Sequence, residues 1–517
     1  AKEKGYTPST DNQAKVGLQF EPFATMLDVT VNGTTGSNTQ NTVRITSVII
    51  EADAPIAGDF TYDYESGALT LGQNKSNSIA INTKFKDKDG NEIGVTMGQN
   101  STLNVRAFLI PNPAITQLKV KVVTAAAQTM TKTLKMDKFK NSQIHFPKLP
   151  KIDVDDLQFD YTIWLSQLDP NIYISEISMP GTALSFNYLA SDATKKTQTL
   201  NLTEQFYKGV RVFQSHINLG DDPSLTNENG PIGLATSEGN PIKKADETSW
   251  TLEDVIEALH KEMSGIHKDE FCVLAISEWI KDLNVNKLST LYKRLNNLLK
   301  KDATVGLVAT GITPNTTIDD VKGKVIIKVQ LNGSESSYSG AWSSLAGANV
   351  WTNIYRYAAE SNPFYSPMPY GSLPETDAGS EYSSALSSTG MNLIYSECAN
   401  VITSVSSSGA TYRDGVKDNA TNVLKAYANN YTSDEHRNFS ITYLGGCGLY
   451  GYYPYNIAQD LNTIWLNYSG KPAKKPWGWV MLNWVGDDTK APTSTKCIRE
   501  VIEHNADPNF KLKRRTN

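Results

Sequence analysis

At 517 residues the chain is longer than one average domain, so two domains are the prior expectation. Charged residues make up 20% and hydrophobic residues 39%, the net charge is -5, and no long basic stripe occurs, which argues against a nucleic-acid partner. No run reaches the roughly 18 apolar residues of a membrane span, and neither a Walker loop nor a dinucleotide fingerprint is present, so no cofactor is expected.

Residues 1–150 read as all-β. Thr42 to Ile50, Leu103 to Ile110 and Gln117 to Val123 alternate or run in β-branched residues, and Asn32-Gly33, Asp89-Gly90 and Asn112-Pro113 read as turns between strands. Short strands without helical period predict a β-sandwich. With its Ala107-Phe108-Leu109-Ile110-Pro111 turn and a following strand pair ending near Lys148, this portion resembles the fimbrillin-like domains of Bacteroidetes surface proteins. That resemblance implies export to the cell surface or periplasm, as a lipoprotein. The opening Ala1-Lys2-Glu3-Lys4-Gly5 shows no signal peptide, but a mature or trimmed chain would look the same. Pro147-Lys148-Leu149-Pro150-Lys151 discourages both helix and paired strand and marks the expected boundary.

From 155 to 517 strands alternate with helices. Trp250 to Leu259 carries apolar residues at helical spacing, with Thr251 as N-cap and Glu253 and Asp254 in the first turn. Phe271 to Ile276 is an unbroken apolar run, as a parallel strand covered on both faces requires. Lys324 to Val329 and Gly478 to Trp484 read as further strands, and Lys496 to Asn505 as a closing helix. Repeated β-then-α predicts a (β/α) barrel, with a doubly wound open sheet as the alternative. The four cysteines, Cys272, Cys398, Cys447 and Cys497, have no zinc or redox spacing, and Cys272 reads as a buried small hydrophobe. The basic run Lys511-Leu512-Lys513-Arg514-Arg515 reads as a solvated tail, with contact to anionic lipid as the lesser alternative.

Five segments stand in the order found in one enzyme group. Ile177-Ser178-Met179-Pro180-Gly181-Thr182 resembles the first strand of phosphatidylinositol-specific phospholipase C, and Tyr207 to Phe213 its second. Trp250 to Leu259 with Phe271 to Glu278 resembles a helix and the fourth strand, and Thr317 to Ile327 the approach to the fifth. The resemblance implies a TIM-like barrel of the phospholipase C-like phosphodiesterase type over 155–517, poorly matched over 335–435. It also implies a reaction that needs two imidazoles and a phosphate-clamping cation.

Carried over by position, those groups are replaced. The first His becomes Ala183 and the Asp after it Leu184; an Asp and an Arg of the second strand become Gln214 and His216. The second His falls on Glu238, and the lysine ending strand four becomes Ser277, or Glu278 if the register slips by one. An acidic residue of the last strand becomes Asn483. General acid–base groups contribute about 10²–10⁴-fold each, so the parent reaction is not expected.

The rim instead offers Gln214, His216, Glu238, Glu278, Gln330, Asn332 and Asn483, with aromatics crowding the last quarter: Tyr443, Tyr450, Tyr452, Tyr453, Tyr455, Trp465, Trp477, Trp479 and Trp484. Amides, carboxylates and rings suit hydroxyl-rich ligands, although core packing accounts for many such rings taken singly. The first reading is a cell-surface binding protein for an inositol- or carbohydrate-containing ligand or lipid head group, bound with His216, Glu238, Glu278, Gln214, Asn332, Asn483 and Tyr443. Peripheral or lipid-anchored membrane association goes with it. The second is a phosphodiesterase with a rearranged site, His216 as base and Glu238 as acid. The third is a glycosidase using Glu238 and Glu278. A cation held by His216, Glu238 and Glu278 has no spacing signature, and no metal is expected.

Overall fold

The computed structural model describes residues 24–35, 43–63, 65–86, 92–125, 127–135, 144–153, 157–219, 227–236, 240–278, 285–332, 351–355, 384–387, 392–397, 413–418, 420–421, 424, 438–446, 451–471, 476–486, 489–491, 493–506 and 512–515. The chain divides into two compact units, Ala1–Asp160 and Tyr161–Asn517.

The first unit is built from Thr25–Thr34 (β1), Val43–Ala52 (β2), Ser78–Asn82 (β3), Val95–Met97 (β4), Thr102–Leu109 (β5), Gln117–Thr124 (β6), Gln128–Lys135 (β7), Ile144–His145 (β8), Lys148–Ile152 (β9) and Gln158–Phe159 (β10). One sheet sets β1 between β5 on one side and β8 with β9 on the other; the second runs β10-β7-β6-β2-β3, with β4 also on β2. Leu27, Val29, Val31, Val105 and Leu109 of the first sheet share one core with Ile45, Val48, Ile50, Leu118 and Val120 of the second, the layering of a sandwich. A register shift at Thr46 lets Ile45 and Val48 both face this core, because a bulge reverses the two-residue alternation.

One turn expectation and one expected break in the strands fail here. Asn32-Gly33 lies inside β1, where a Cβ on Gly33 would stand 1.9 Å from the Gly98 carbonyl oxygen; the glycine serves a close backbone approach. The Pro147–Lys151 break is also mostly strand. Within β9, Leu149 and Pro150 sit at a register shift against β1, and a proline, lacking an N–H, is tolerated at a bulge. Asn112-Pro113 is a turn, the Asn112 side chain accepting from the Ala114 N–H; Asp89-Gly90 lies outside the described residues.

The second unit contains Met179–Thr182 (β11), Val212–Asn218 (β12), Gly233–Ala235 (β13), Cys272–Glu278 (β14), Val308–Ala309 (β15), Val325–Asn332 (β16), Trp351–Tyr355 (β17), Ser384–Ser387 (β18), Asn392–Glu397 (β19), Asn438–Leu444 (β20) and Trp479–Leu482 (β21). Eight of these form a parallel series in the order β17-β16-β14-β12-β11-β21-β20-β19, with antiparallel β18 on β17 and short additions at β12 and β16. Helices Leu202–Tyr207 (α1), Leu252–Glu262 (α2), Val285–Leu298 (α3), Ile318–Val321 (α4), Pro454–Asn467 (α5) and Ser494–Asn505 (α6) intervene. The expected α2 cap is present: Thr251 and Asp254 exchange side-chain and backbone hydrogen bonds.

This sheet is rolled. On a flat sheet five strand steps separate Lys328 of β16 from Phe439 of β20 by about 24 Å, yet the Lys328 Nζ lies 5.7 Å from the Phe439 ring centre. Cα atoms of β17 and β19 come within 8 Å of each other, without a hydrogen-bonded ladder between them among the described residues. No helix among the described residues is long and apolar enough to cross a membrane.

At the N-terminal ends of the strands a buried ion pair fixes the geometry. Arg211, just before β12, donates from Nε to Glu270 at 2.9 Å, from Nη1 to the Phe206 and Val210 carbonyls and from Nη2 to Thr162. Glu270 also accepts from the Ser166 and Leu165 N–H groups. Of the basic C-terminal run, Arg514 and Arg515 are tied to the unit rather than free in solvent. Arg514 bridges Ile172 in a β-pairing and reaches Asp169 at 3.3 Å, and Arg515 pairs with Asp320 at 2.5 Å. Acidic partners on the body of the unit hold those residues down.

Candidate functional site

Parallel strands in a rolled sheet point their C-terminal ends one way, and the loops beyond those ends are where such folds place ligands. Here β11 ends at Thr182 and its neighbour β21 at Leu482, paired in register. Two residues further on, both chains enter the left-handed region on non-glycine residues, Leu184 at φ 47° and Trp484 at φ 55°. Such conformations cost of order 1–3 kcal/mol each and persist only where the surroundings enforce them. The enforcing pair is Thr197-Gln198. Thr197 Oγ1 donates to the Ala183 and Leu184 carbonyls and its own carbonyl accepts from Trp484 N–H. The buried Gln198 amide donates to Ala183 at 3.1 Å and Leu482 at 2.8 Å, and its oxygen accepts from Val485 N–H. Gln198→Leu is expected to cost about 1–3 kcal/mol, because it orphans these backbone groups, and to shift the emission of the adjoining Trp484. A loss below 0.5 kcal/mol in denaturant titration would refute the clamp.

The position after the first strand is a methyl. Ala183 is buried, its N–H bonded to the Leu482 carbonyl. Leu184 donates its N–H to Gln214 Oε1 at 3.1 Å, Ser185 N–H reaches the Gln214 carbonyl and Gln214 N–H reaches Ser185 Oγ. Gln214 therefore closes the turn that Ala183 and Leu184 make; its Nε2 has no partner among the described residues. His216, half-buried, follows on the same face of β12 and is in register with Ser277 of β14. Glu278 is in register with Ile217, the next step along, which alternates to the opposite side of the strand from His216.

The remaining expected site residues are scattered. Asn483 is fully buried, its Nδ2 donating to Gly446 at 2.8 Å, and it packs so closely on Gly445 that a Cβ there would stand 2.2 Å from its oxygen. Tyr443 is 4% exposed, in register with Met481. Asn332 ends β16 in register with Tyr355. Glu238, Tyr450, Cys398 and Cys447 lie outside the described residues. Among the described residues no three His, Cys, Asp or Glu side chains are grouped to hold a metal ion.

Of the aromatics, Tyr452, Trp465, Trp477, Trp479 and Trp484 are buried packing. Tyr453 and Tyr455 are half-buried and stacked, ring centres 5.6 Å apart at 6°, with Tyr455 edge-on to Trp484 and the exposed Lys490 Nζ 5.3 Å above Tyr455. Tyr453 and Tyr455, at the start of α5, form a partly exposed wall beside the buried Trp484. Nearby, Arg413 grips Asp460 of α5 through two nitrogens and Tyr452 donates to the same carboxyl. Burial would raise Asp460, but these donors hold it below the usual carboxylate range.

Sequence reading missed the Thr197-Gln198 clamp, the paired left-handed turns and Lys328, which is completely buried on β16. Its one signal was a lysine interrupting the apolar run Val325 to Val329. Cys272 is buried as expected, and burial pushes its thiol up to about 12. A cavity of about 650 Å³ lies away from these turns, where α5 and α6 end near Trp477. Its walls are tied up in packing: Lys471 pairs with Glu500 at 3.1 Å and Trp477 stacks on His504 at 3.9 Å.

No family model matches the chain, and no curated protein matches it. Solved structures similar to it include phosphatidylinositol-specific phospholipase C of S. aureus, at 17% identity over 67% of this chain and 98% of that one, with a TM-score of 0.44. The enzyme of that name from Listeria monocytogenes is 14% identical over 67% of this chain and 98% of that one, TM-score 0.37. A calcium-dependent phosphoinositol-specific phospholipase C from Pseudomonas sp. is 13% identical over 55% and 87%, TM-score 0.27.

Proposed function

We propose that the second unit is a phospholipase C-like barrel that has lost its chemistry and binds the ring of an inositol- or sugar-containing head group or glycan beyond the C-terminal ends of its strands. The observation that carries this reading is the turn after β11. Where a proton-accepting side chain would be needed, Ala183 presents a buried methyl, and Gln214 is bonded into the same turn. Among the described residues of this unit His216 is the one imidazole on a strand; His260 and His267 bond helix and turn carbonyls and His504 stacks on Trp477. Losing one general acid–base group removes about 10²–10⁴-fold in rate. The tyrosine wall and the Gln214 amide suit a hydroxylated ring.

In this reading the rolled sheet closes between β17 and β19, the first unit is a fimbrillin-like sandwich, and the protein is exported to the cell surface or periplasm on a lipid anchor. Glu238 and Asn332 complete the rim, and Glu278, on the other side of its strand from His216, is left out of it. The test is to incubate the full chain with phosphatidylinositol while following cyclic phosphodiester formation, alongside calorimetry with myo-inositol and small glycans. Saturable binding without turnover is expected. Turnover that Ala substitution of His216 abolishes would overturn the proposal in favour of a rearranged phosphodiesterase.

A further inference from the structure

Away from the candidate site, one cleft of the second unit already holds an extended peptide. Residues 170–174, which lead toward β11, run between two other segments. On one side Ile174 N–H donates to the Thr316 carbonyl and Ile318 N–H to the Ile172 carbonyl, both at 3.0 Å, around a bridge of Tyr173 with Thr317. On the other side lie residues 512–515. Tyr173 N–H donates to the Lys513 carbonyl at 3.1 Å and Arg515 N–H to the Asn171 carbonyl at 3.0 Å, around the bridge of Ile172 with Arg514. The basic segment is thus an added edge strand, a mode in which main-chain bonds give affinity and side-chain pockets give selectivity.

The pockets are acidic on both sides of that strand, since successive side chains of an extended chain point opposite ways. Arg514 reaches Asp169, whose side chain is 4% exposed, at 3.3 Å. Arg515 reaches Asp320 at 2.5 Å and the Asn315 carbonyl at 3.1 Å. Asp169 and Asp320 also serve their own loops, accepting from the Asn171 and Thr317 N–H groups. Glu176 has no such second duty among the described residues. It is 5% exposed and burial pushes its carboxyl up; what opposes that is the Lys513 charge and the Lys513 N–H, 3.4 Å from Oε2. A buried carboxyl without a partner is costly, so Glu176 fits an occupant that brings a cation and a backbone N–H.

The resident itself is held lightly. None of residues 512–515 is buried. Partly exposed ion pairs are screened by salt and contribute little each. An edge segment fixed by a few main-chain bonds opens at the low end of a fold's local stabilities. The cleft is selective, and its occupant can leave.

We propose that this cleft is a docking site for an extended basic peptide of a partner protein, and that residues 512–515 fill it as an exchangeable resident. A partner segment with cations at three successive positions takes over the same main-chain bonds and the same carboxyls, and the chain's own segment is released as it enters. Being tethered, the resident competes at an effective concentration of order millimolar, which lowers the apparent affinity for the partner. Binding is therefore weak until the resident is displaced or its charges are removed.

The test is fluorescence anisotropy of a labelled peptide of residues 510–517, added to the unaltered full chain and to the full chain carrying Arg514→Glu with Arg515→Glu. The altered chain is expected to bind the peptide at least about tenfold more tightly than the unaltered one, because its own segment no longer competes. Binding should weaken several-fold between about 50 and 500 mM salt, and a peptide with both arginines changed to glutamate should not bind. Hydrogen–deuterium exchange on the unaltered chain supplies a second readout, which decides the matter even if the altered chain fails to fold. A large excess of unlabelled peptide is expected to speed exchange at residues 512–515. A folded altered chain that ignores the peptide, equal binding of the charge-reversed peptide, or exchange at 512–515 unmoved by excess peptide would each overturn the proposal.

Discussion

Arg211→Met is expected to destabilise the second unit by about 3–5 kcal/mol, the cost of stripping one partner from a buried ion pair. Both side chains are wholly buried. The guanidinium reaches Glu270 and three backbone carbonyls and lies 3.9 Å over the Phe206 ring. It thereby ties α1, the segment at Thr162 and the start of β12 to Glu270, two residues before β14. Burial pushes Glu270 up; Arg211 and the Ser166 N–H oppose that. Without the guanidinium Glu270 is left to protonate or to remain charged in a dry site. Arg211→Met with Glu270→Leu should cost less than Arg211→Met alone, because the orphaned carboxyl goes with its partner. All nine tryptophans lie beyond residue 160, so indole fluorescence in a urea titration follows this unit alone. A loss under about 1 kcal/mol would mean the pair contributes little.

Lys328→Met is expected to act the other way, stabilising the unit by about 1–3 kcal/mol at neutral pH, because a thioether of similar length replaces an amine that must be taken out of water. The pH dependence gives the sharper readout. With its value lowered in the fold, the amine is neutral there while the unfolded chain holds its proton up to about pH 10.4. The unfolded state thus binds more protons between the two values, and stability rises with pH across that window. The methionine variant should lose this slope. Parallel stability–pH curves for the two proteins would show that Lys328 is protonated in the fold.

Local signals gave the second unit's elements well. Thr251 caps α2 as its hydroxyl and the following acidic residues require, and the apolar runs at 271–276 and 324–329 lie in strands of the parallel series. What sequence could not give depends on partners far along the chain. Asn32-Gly33 is turn chemistry by composition, and the approach of Gly98 turns it into strand. Arg514 and Arg515 look like a free basic tail until Asp169 and Asp320 are brought beside them. The site shows the same division. Ala183, Leu184 and Gln214 meet because the strands before and after them pair, while the choice between Ser277 and Glu278 beside His216 needed the register with β12. Lys328 was visible as a residue, but its place opposite Phe439 exists only once the sheet rolls.

The bridge between Ile172 and Arg514 has a practical side. It fastens the segment around Arg514 to the segment at Ile172, so disrupting that pairing should loosen the loop that leads into β11. A bulky group placed right after Arg515 would pull on that fastening.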